Sequence, residues 1–161
     1  MITKSITVTV NGKAHTASVM PRMTLVDFLR DVLRQTGTHI GCEHGVCGAC
    51  SVIFDGVPIR SCLMYAVQAD GHEVMTVEGL ADENGVIGDL QDAFWESHAM
   101  QCGYCTPGML MAAHALLEEN PRPDTEEIRE AISGNLCRCT GYTQIVEAIA
   151  LCAAKRNGEA G

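Results

Sequence analysis

Nine cysteines, at positions 42, 47, 50, 62, 102, 105, 137, 139 and 152, constrain this 161-residue chain more than any other feature. Eight of them fall into short, spaced groups: GCEHGVCGAC (41–50), Cys62 soon after, QCGYCTPG (101–108) and CRC (137–139). Such grouping means disulfides, metal or catalytic sulfur. The amino-terminal stretch MITKSITVTVNG has no continuous apolar core of the kind a secretory signal needs, and a reducing compartment keeps thiols reduced. Metal or catalytic sulfur is therefore the leading reading.

Composition supports ordinary folding. A hydrophobic content of 47% is enough for one medium core or two small ones. Apolar runs such as AIALCAA (148–154) fall far short of the roughly 20 residues a membrane span requires. The expectation is a soluble, cytoplasmic protein with no membrane span. The net charge of −9 is uneven: residues 1–80 carry 6 basic and 7 acidic groups, residues 81–161 carry 5 and 13. A phosphate-neutralising face needs the opposite sign, so nucleic acid is not an expected partner. Acidic clusters such as DTEEIRE read as solvated helix surface.

The patterning divides the chain. In the first part, ITVTV (6–10) and HTASV (15–19) flank Asn11-Gly12, a pair suited to the positive dihedrals of a hairpin turn. Thr24 and Asp27 resemble a cap, and Leu25, Phe28, Leu29, Val32 and Leu33 recur at helical spacing. SVIF (51–54), a turn at Asp55-Gly56, PIRSC (58–62) and EVMTV (73–77) read as further strands. The result is a small mixed sheet crossed by one helix. The second part reads as four short helices, near 88–98, 107–119, 125–133 and 142–154, broken by Asn-Pro-Arg-Pro at 120–123. The expected division is residues 1–78, a linker at 79–87, and residues 88–161: an α+β chain overall.

Cys42-x4-Cys47-x2-Cys50 with Cys62 beyond is the ligand spacing of a plant-type [2Fe-2S] site. Gly41, Gly45 and Gly48 let the loop wrap closely enough for backbone N–H groups to reach sulfur. Four-cysteine zinc sites favour two close pairs, a poor match to three cysteines in nine residues. A Rieske centre needs a second Cys-plus-His half, which is missing, so His44 reads as a loop residue.

Cys102 and Cys105 stand before one expected helix, where Pro107 suits the first turn, and Cys137 and Cys139 stand before another. Helix amino termini carry unpaired N–H groups and partial positive charge, which favour an anionic group held between them. A second four-thiolate site follows. Its spacing alone leaves zinc and iron–sulfur both open, while a thioredoxin-like dithiol would want a preceding strand. Cys152 reads as a buried thiol on an apolar helix face, and Met100, Met109 and Met111 as packing. Tyr104 and Trp95 are candidates for packing near a cluster, and His15, His39, His72, His98 and His114 form no ligand pattern.

Taken together, GCEHGVCGAC, SC (61–62), QCGYCTPG and NLCRCTGY resemble the small, iron–sulfur subunit of the xanthine oxidase family of molybdenum hydroxylases. The resemblance runs from about residue 3 to 154. It implies a β-grasp plant-type ferredoxin domain followed by a four-helix domain, each with a [2Fe-2S] cluster. It implies Cys42, Cys47, Cys50 and Cys62 as ligands of the cluster nearer FAD, and Cys102, Cys105, Cys137 and Cys139 as ligands of the cluster nearer molybdenum. Gln101 matches the family glutamine that hydrogen-bonds the pterin, and Cys139 the ligand whose sulfur approaches the pterin amine. The implied partners are a large subunit with molybdopterin, usually the cytosine dinucleotide in bacteria, and a medium subunit with FAD, as a dimer of heterotrimers. The chain would relay electrons between those cofactors as part of an oxidoreductase, with substrate chemistry on the large subunit. The rival reading is a free two-cluster ferredoxin, a diffusible carrier, and a two-zinc adaptor is a further one. The substrate stays open among N-heteroaromatics, aldehydes, carbon monoxide and aromatic CoA thioesters.

Overall fold

The computed structural model describes residues 2–159; the expected domain ends at residues 1 and 160–161 lie outside them. The first part is a five-stranded mixed sheet of order β2-β1-β5-β3-β4. It comprises β1 (Lys4–Val10), β2 (Lys13–Val19), β3 (Ser51–Phe54), β4 (Val57–Arg60) and β5 (Glu73–Met75). Strands β1 and β5 run parallel, and the other pairs are antiparallel. Both expected hairpin turns form: Asn11 and Gly12 take φ of 50° and 76°, Asp55 and Gly56 take 46° and 83°. Positive φ at both central residues matches the turn to the strands' own twist.

Crossing the sheet, α1 (Leu25–Asp27) runs directly into a π-helical turn (Phe28–Val32). The Thr24 hydroxyl caps it, accepting from the Asp27 N–H at 3.2 Å. Leu25, Phe28 and Leu29 are fully buried against Ile6, Val8 and Val74. Val32, expected on the same apolar face, is 40% exposed. The π turn, with Leu33 N–H donating to Phe28 C=O, is wider than the 3.6-residue turn the spacing assumed and rotates later side chains away from the core. Two strands are also shorter than expected. PIRSC stops pairing at Arg60, and Ser61–Leu63 form a 3₁₀ turn carrying Cys62. EVMTV ends at Met75, because the Thr76 N–H donates instead to Asn11 Oδ1 at 2.9 Å.

The second part is α2 (Asp89–Glu96), α3 (Thr106–Glu119), α4 (Thr125–Ile132) and α5 (Thr143–Arg156). Asp124 caps α4 by accepting from the N–H groups of Glu126 and Glu127 at 2.8 and 2.9 Å, while Glu127 Oε2 accepts from the Asp124 N–H at 2.7 Å. Phe94, Met109, Ile128, Ile145 and Ile149 form this part's own core, with Cys152 fully buried among them. Val77 and Leu80, in a 3₁₀ turn after the sheet, pack against that helical core. Arg156 on α5 clamps the start of α2 through two hydrogen bonds to Asp89, at 2.6 and 2.9 Å. Among the described residues, no helix is long and apolar enough to cross a membrane.

Helix α3 also packs against β3 and β4, so the helical part sits on the sheet's far edge. This contact is backbone-close: a Cβ added at Gly108 would stand 2.2 Å from the Gly48 carbonyl. Only glycine fits there. The sequence motifs 41–50 and 134–139 are thereby brought side by side.

Candidate metal centres

All nine cysteines are free thiols, and eight of them fall into two groups that meet through Cys47 where the two parts join. The loop from Gly41 to Cys50 carries three. Gly41 leaves room for the Cys47 sulfur, which a Cβ there would meet at 2.8 Å. The Cys47 N–H points at Cys42 Sγ, 3.4 Å away. With the His44 N–H as the largest contributor and the Cys47 N–H next, these donors lower the Cys42 thiol to about 6. Its charged form is favoured before any metal arrives. His44 turns its own ring nitrogen to the Cys42 carbonyl, away from a ligand role. Cys62 closes the group from its 3₁₀ turn; burial first, and then the neighbouring Cys50 and Cys42, push its thiol up to about 11.

The second group is assembled from two distant segments. Cys105 is the residue before α3, and burial followed by the proximity of Cys137 and Cys102 pushes it up to about 12. Cys139 is raised chiefly by its contact with Cys102. At Cys137, burial opposes ionisation, but the hydroxyl and N–H of Thr140, the Cys139 N–H and the Cys105 thiol together leave the thiol below its ordinary value. Thr140 Oγ1 lies 3.1 Å from Cys137 Sγ. The Cys137 N–H donates to the Tyr142 hydroxyl at 2.9 Å, and Tyr142 takes a left-handed φ of 70° to start α5. Cys102 and Cys139 are exposed, as is Gln101, while Cys50 of the first group is buried.

Burial and crowding thus push Cys62, Cys105 and Cys139 up, while neighbouring donors hold Cys42 and Cys137 down; a bound cation would favour all of these sulfurs as anions. Among the described residues, no three His, Cys, Asp or Glu side chains converge tightly enough for a single metal ion. A two-iron cluster makes a different demand, dividing four thiolates between two irons. The second group opens on a cavity of about 160 Å³, lined also by Gly41 and Cys47 of the first. Both donor sets fit an iron–sulfur group.

Several residues in this region carried no signal in the sequence. Leu136, beside Cys137, donates its N–H to the Cys47 carbonyl at 2.8 Å. Arg60 and Asn135 bond to both cysteine-bearing loops. These are tertiary contacts, and neither spacing nor residue type announces them. Tyr104, a candidate for packing near a cluster, lines the cavity beside Cys102, Cys105, Cys137 and Cys139; its ring stacks on His39 at 4.8 Å, and its hydroxyl donates to the Ile40 carbonyl. Trp95, a candidate for packing near a cluster, is 71% exposed instead. It lies near the end of α2, whose apolar stripe is carried by Leu90, Ala93 and Phe94. Met109 and Met111 are buried as packing, and Met100 lies against the helical core.

Comparison with known proteins agrees with both halves. Residues 8–80 match the family described as "2Fe-2S iron-sulfur cluster binding domain". Residues 76–150 match the "[2Fe-2S] binding domain" family. Caffeine dehydrogenase subunit gamma from Pseudomonas sp. (strain CBB1) is 59% identical over 147 residues, covering 89% of this chain and 87% of the relative. Nicotine 6-hydroxylase small subunit from Paenarthrobacter nicotinovorans is 56% identical over 144 residues, covering 89% and 86%. Among solved structures, quinoline 2-oxidoreductase from Pseudomonas putida 86 superposes with a TM-score of 0.91 at 52% identity, covering 98% of each chain. The sheet-and-helix part is a β-grasp ferredoxin domain, the helices form the second [2Fe-2S]-binding domain, and the chain belongs to the small iron–sulfur subunits of the xanthine oxidase family of molybdenum hydroxylases.

Proposed function

We propose that this chain carries two [2Fe-2S] clusters and relays electrons between molybdopterin on a large subunit and FAD on a medium subunit of a heterotrimeric oxidoreductase. The observation that carries this reading is the contact of the two thiol groups through one backbone hydrogen bond, Leu136 N–H to Cys47 C=O at 2.8 Å. A relay depends on this closeness, and the exposed pair Gln101 and Cys139 separates it from a free carrier, which has no reason to present a pterin contact.

Cys42, Cys47, Cys50 and Cys62 would hold the cluster nearer the flavin, and Cys102, Cys105, Cys137 and Cys139 the cluster nearer molybdenum. When bound, each cluster takes up and releases one electron at a time, at a potential set by hydrogen bonds to sulfur and by solvent exposure. The chain's own residues supply those settings. N–H groups of His44 and Cys47 stabilise the Cys42 sulfur, and Thr140 stabilises that of Cys137. Gln101 and Cys139 would contact the pterin, and their exposure leaves them free to meet a cofactor on another subunit. Residues 1–78 and 88–161 would act as the two cluster-bearing units. For the complex, we favour an N-heteroaromatic substrate, since relatives named for caffeine, nicotine and quinoline are among the similar proteins.

The test is iron, molybdenum and flavin content per chain after gentle tag purification from the native host. About four irons per chain with near-stoichiometric molybdenum and FAD is the expected result. Full iron without molybdenum or flavin, in a preparation that chemical cross-linking before lysis does not change, would instead point to the free carrier.

A further inference from the structure

Arg60 and Asn135 stand outside the thiol groups, two residues ahead of Cys62 and of Cys137 respectively. One arm of the Arg60 guanidinium donates to Ser51 Oγ at 2.6 Å, and that hydroxyl donates to the Gly48 carbonyl at 2.6 Å. The other arm donates to the Gly134 carbonyl at 2.8 Å and to Asn135 Oδ1 at 3.3 Å. Asn135, 2% exposed, completes the ring by donating from Nδ2 back to the Gly48 carbonyl at 3.0 Å. Four groups thus close one ring, Arg60, Ser51, the Gly48 carbonyl and Asn135, and the Gly134 carbonyl is tied to it through Arg60; Gly48 and Ser51 lie on the first cysteine segment, Gly134 and Asn135 on the second, and Arg60 at the end of β4 joins them.

The circuit has no slack. Gly48 sits at φ +74°, and a Cβ there would lie 2.6 Å from the Gly134 carbonyl; one on Gly134 would lie 2.5 Å from the Arg60 guanidinium. Immediately beyond it in each chain segment are the partners of the direct link, Cys47 and Leu136. A planar guanidinium with several fixed donors suits this task because its bonds are directional as well as charge-assisted.

We propose that Arg60 and Asn135 are positioning residues for electron transfer, fixing the separation of the two cysteine sites and the Cys47–Leu136 contact between them. This rests on the relay reading above. Tunnelling rates fall steeply with distance and with every through-space gap, so a circuit that holds two loops in backbone contact governs the rate without touching either cofactor. A merely structural role would alter stability and leave the inter-site coupling alone.

The test uses the intact complex, purified through a tag on this chain, with wild type, Arg60→Gln, Arg60→Lys and Asn135→Asp. Iron content and the low-temperature EPR spectrum of the fully reduced protein are read together. Two reduced clusters in one chain split each other's signals magnetically, by an amount that depends on their separation. The expected result is unchanged iron, both signals present, and a splitting reduced or lost in Arg60→Gln and Asn135→Asp, with slower electron arrival at the flavin. Arg60→Lys, keeping a donor for one side of the circuit, should fall between. Wild-type splitting and rate in Arg60→Gln and Asn135→Asp at full iron would overturn the proposal. If those variants lose iron, Ser51→Ala decides, because it removes only the Ser51 hydroxyl, which accepts from Arg60 and donates to the Gly48 carbonyl, and leaves Arg60 and Asn135 in place: reduced splitting supports the circuit, and wild-type splitting overturns it. A wild-type complex with a single cluster signal would overturn the relay reading itself, a failure distinct from the preceding ones.

Discussion

The two cysteine groups reach similar chemistry by opposite routes. The first is local: three thiols lie within one ten-residue loop, and the loop's own N–H groups bring Cys42 down to about 6. The second is assembled from segments far apart in the chain, and it relies on side chains, with Thr140 and Tyr142 clasping Cys137. The first is closed by a buried Cys50, whereas the second leaves Cys102 and Cys139 exposed. A local loop can enclose a site by winding around it. A site built between helix entrances keeps one side open, which suits contact with a neighbouring cofactor.

The largest expected effect breaks the pair apart. Cys42→Ser and Cys137→Ser should each abolish a different EPR signal of the reduced protein and leave the other in place; loss of the same signal in both would sink the two-site assignment. Next, the separate cores allow each unit to be weakened alone. Phe94→Ala in the helical core should cost about 3–5 kcal/mol, read by chemical denaturation, and should release the Cys137 signal on warming before the Cys42 signal. Simultaneous loss would show that the two units unfold as one.

Smaller effects probe the seam and the rim. Gly108→Ala places a methyl against the Gly48 carbonyl, 2.2 Å away before relaxation, and should destabilise by about 1–3 kcal/mol while perturbing both signals. Asp89→Asn should be the mildest. Arg156 holds the Asp89 carboxyl below its ordinary range, so the stabilisation is present above that range and is lost as the pH falls through the lowered folded-state value. The pair is partly exposed, so about 1 kcal/mol or less is expected at neutral pH after solvent screening. Denaturation midpoints of wild type and variant should converge in strong acid.

Local features were legible in the sequence, and contacts across the seam were not. Asn11-Gly12 and Asp55-Gly56 make their turns because Asn, Asp and Gly enter the positive-φ region at the least cost. Asp124 caps α4 through its immediate neighbours, and the 42-47-50 spacing is itself a loop geometry. The π turn at Phe28–Val32 broke the helical spacing, and strand β5 stopped where Asn11 captured the Thr76 N–H. Arg60 and Asn135 looked like ordinary polar residues. Their role comes from Gly48 and Gly108 letting two backbones meet, a fact of tertiary packing that no local pattern encodes.

The central claim is two distinct clusters in one chain, and the most direct measurement is EPR spin quantitation of the reduced complex against protein concentration. The account predicts two separable signals, each integrating to about one spin per chain, from clusters that each hold two irons. A single signal of one spin per chain, with half the iron, would contradict it.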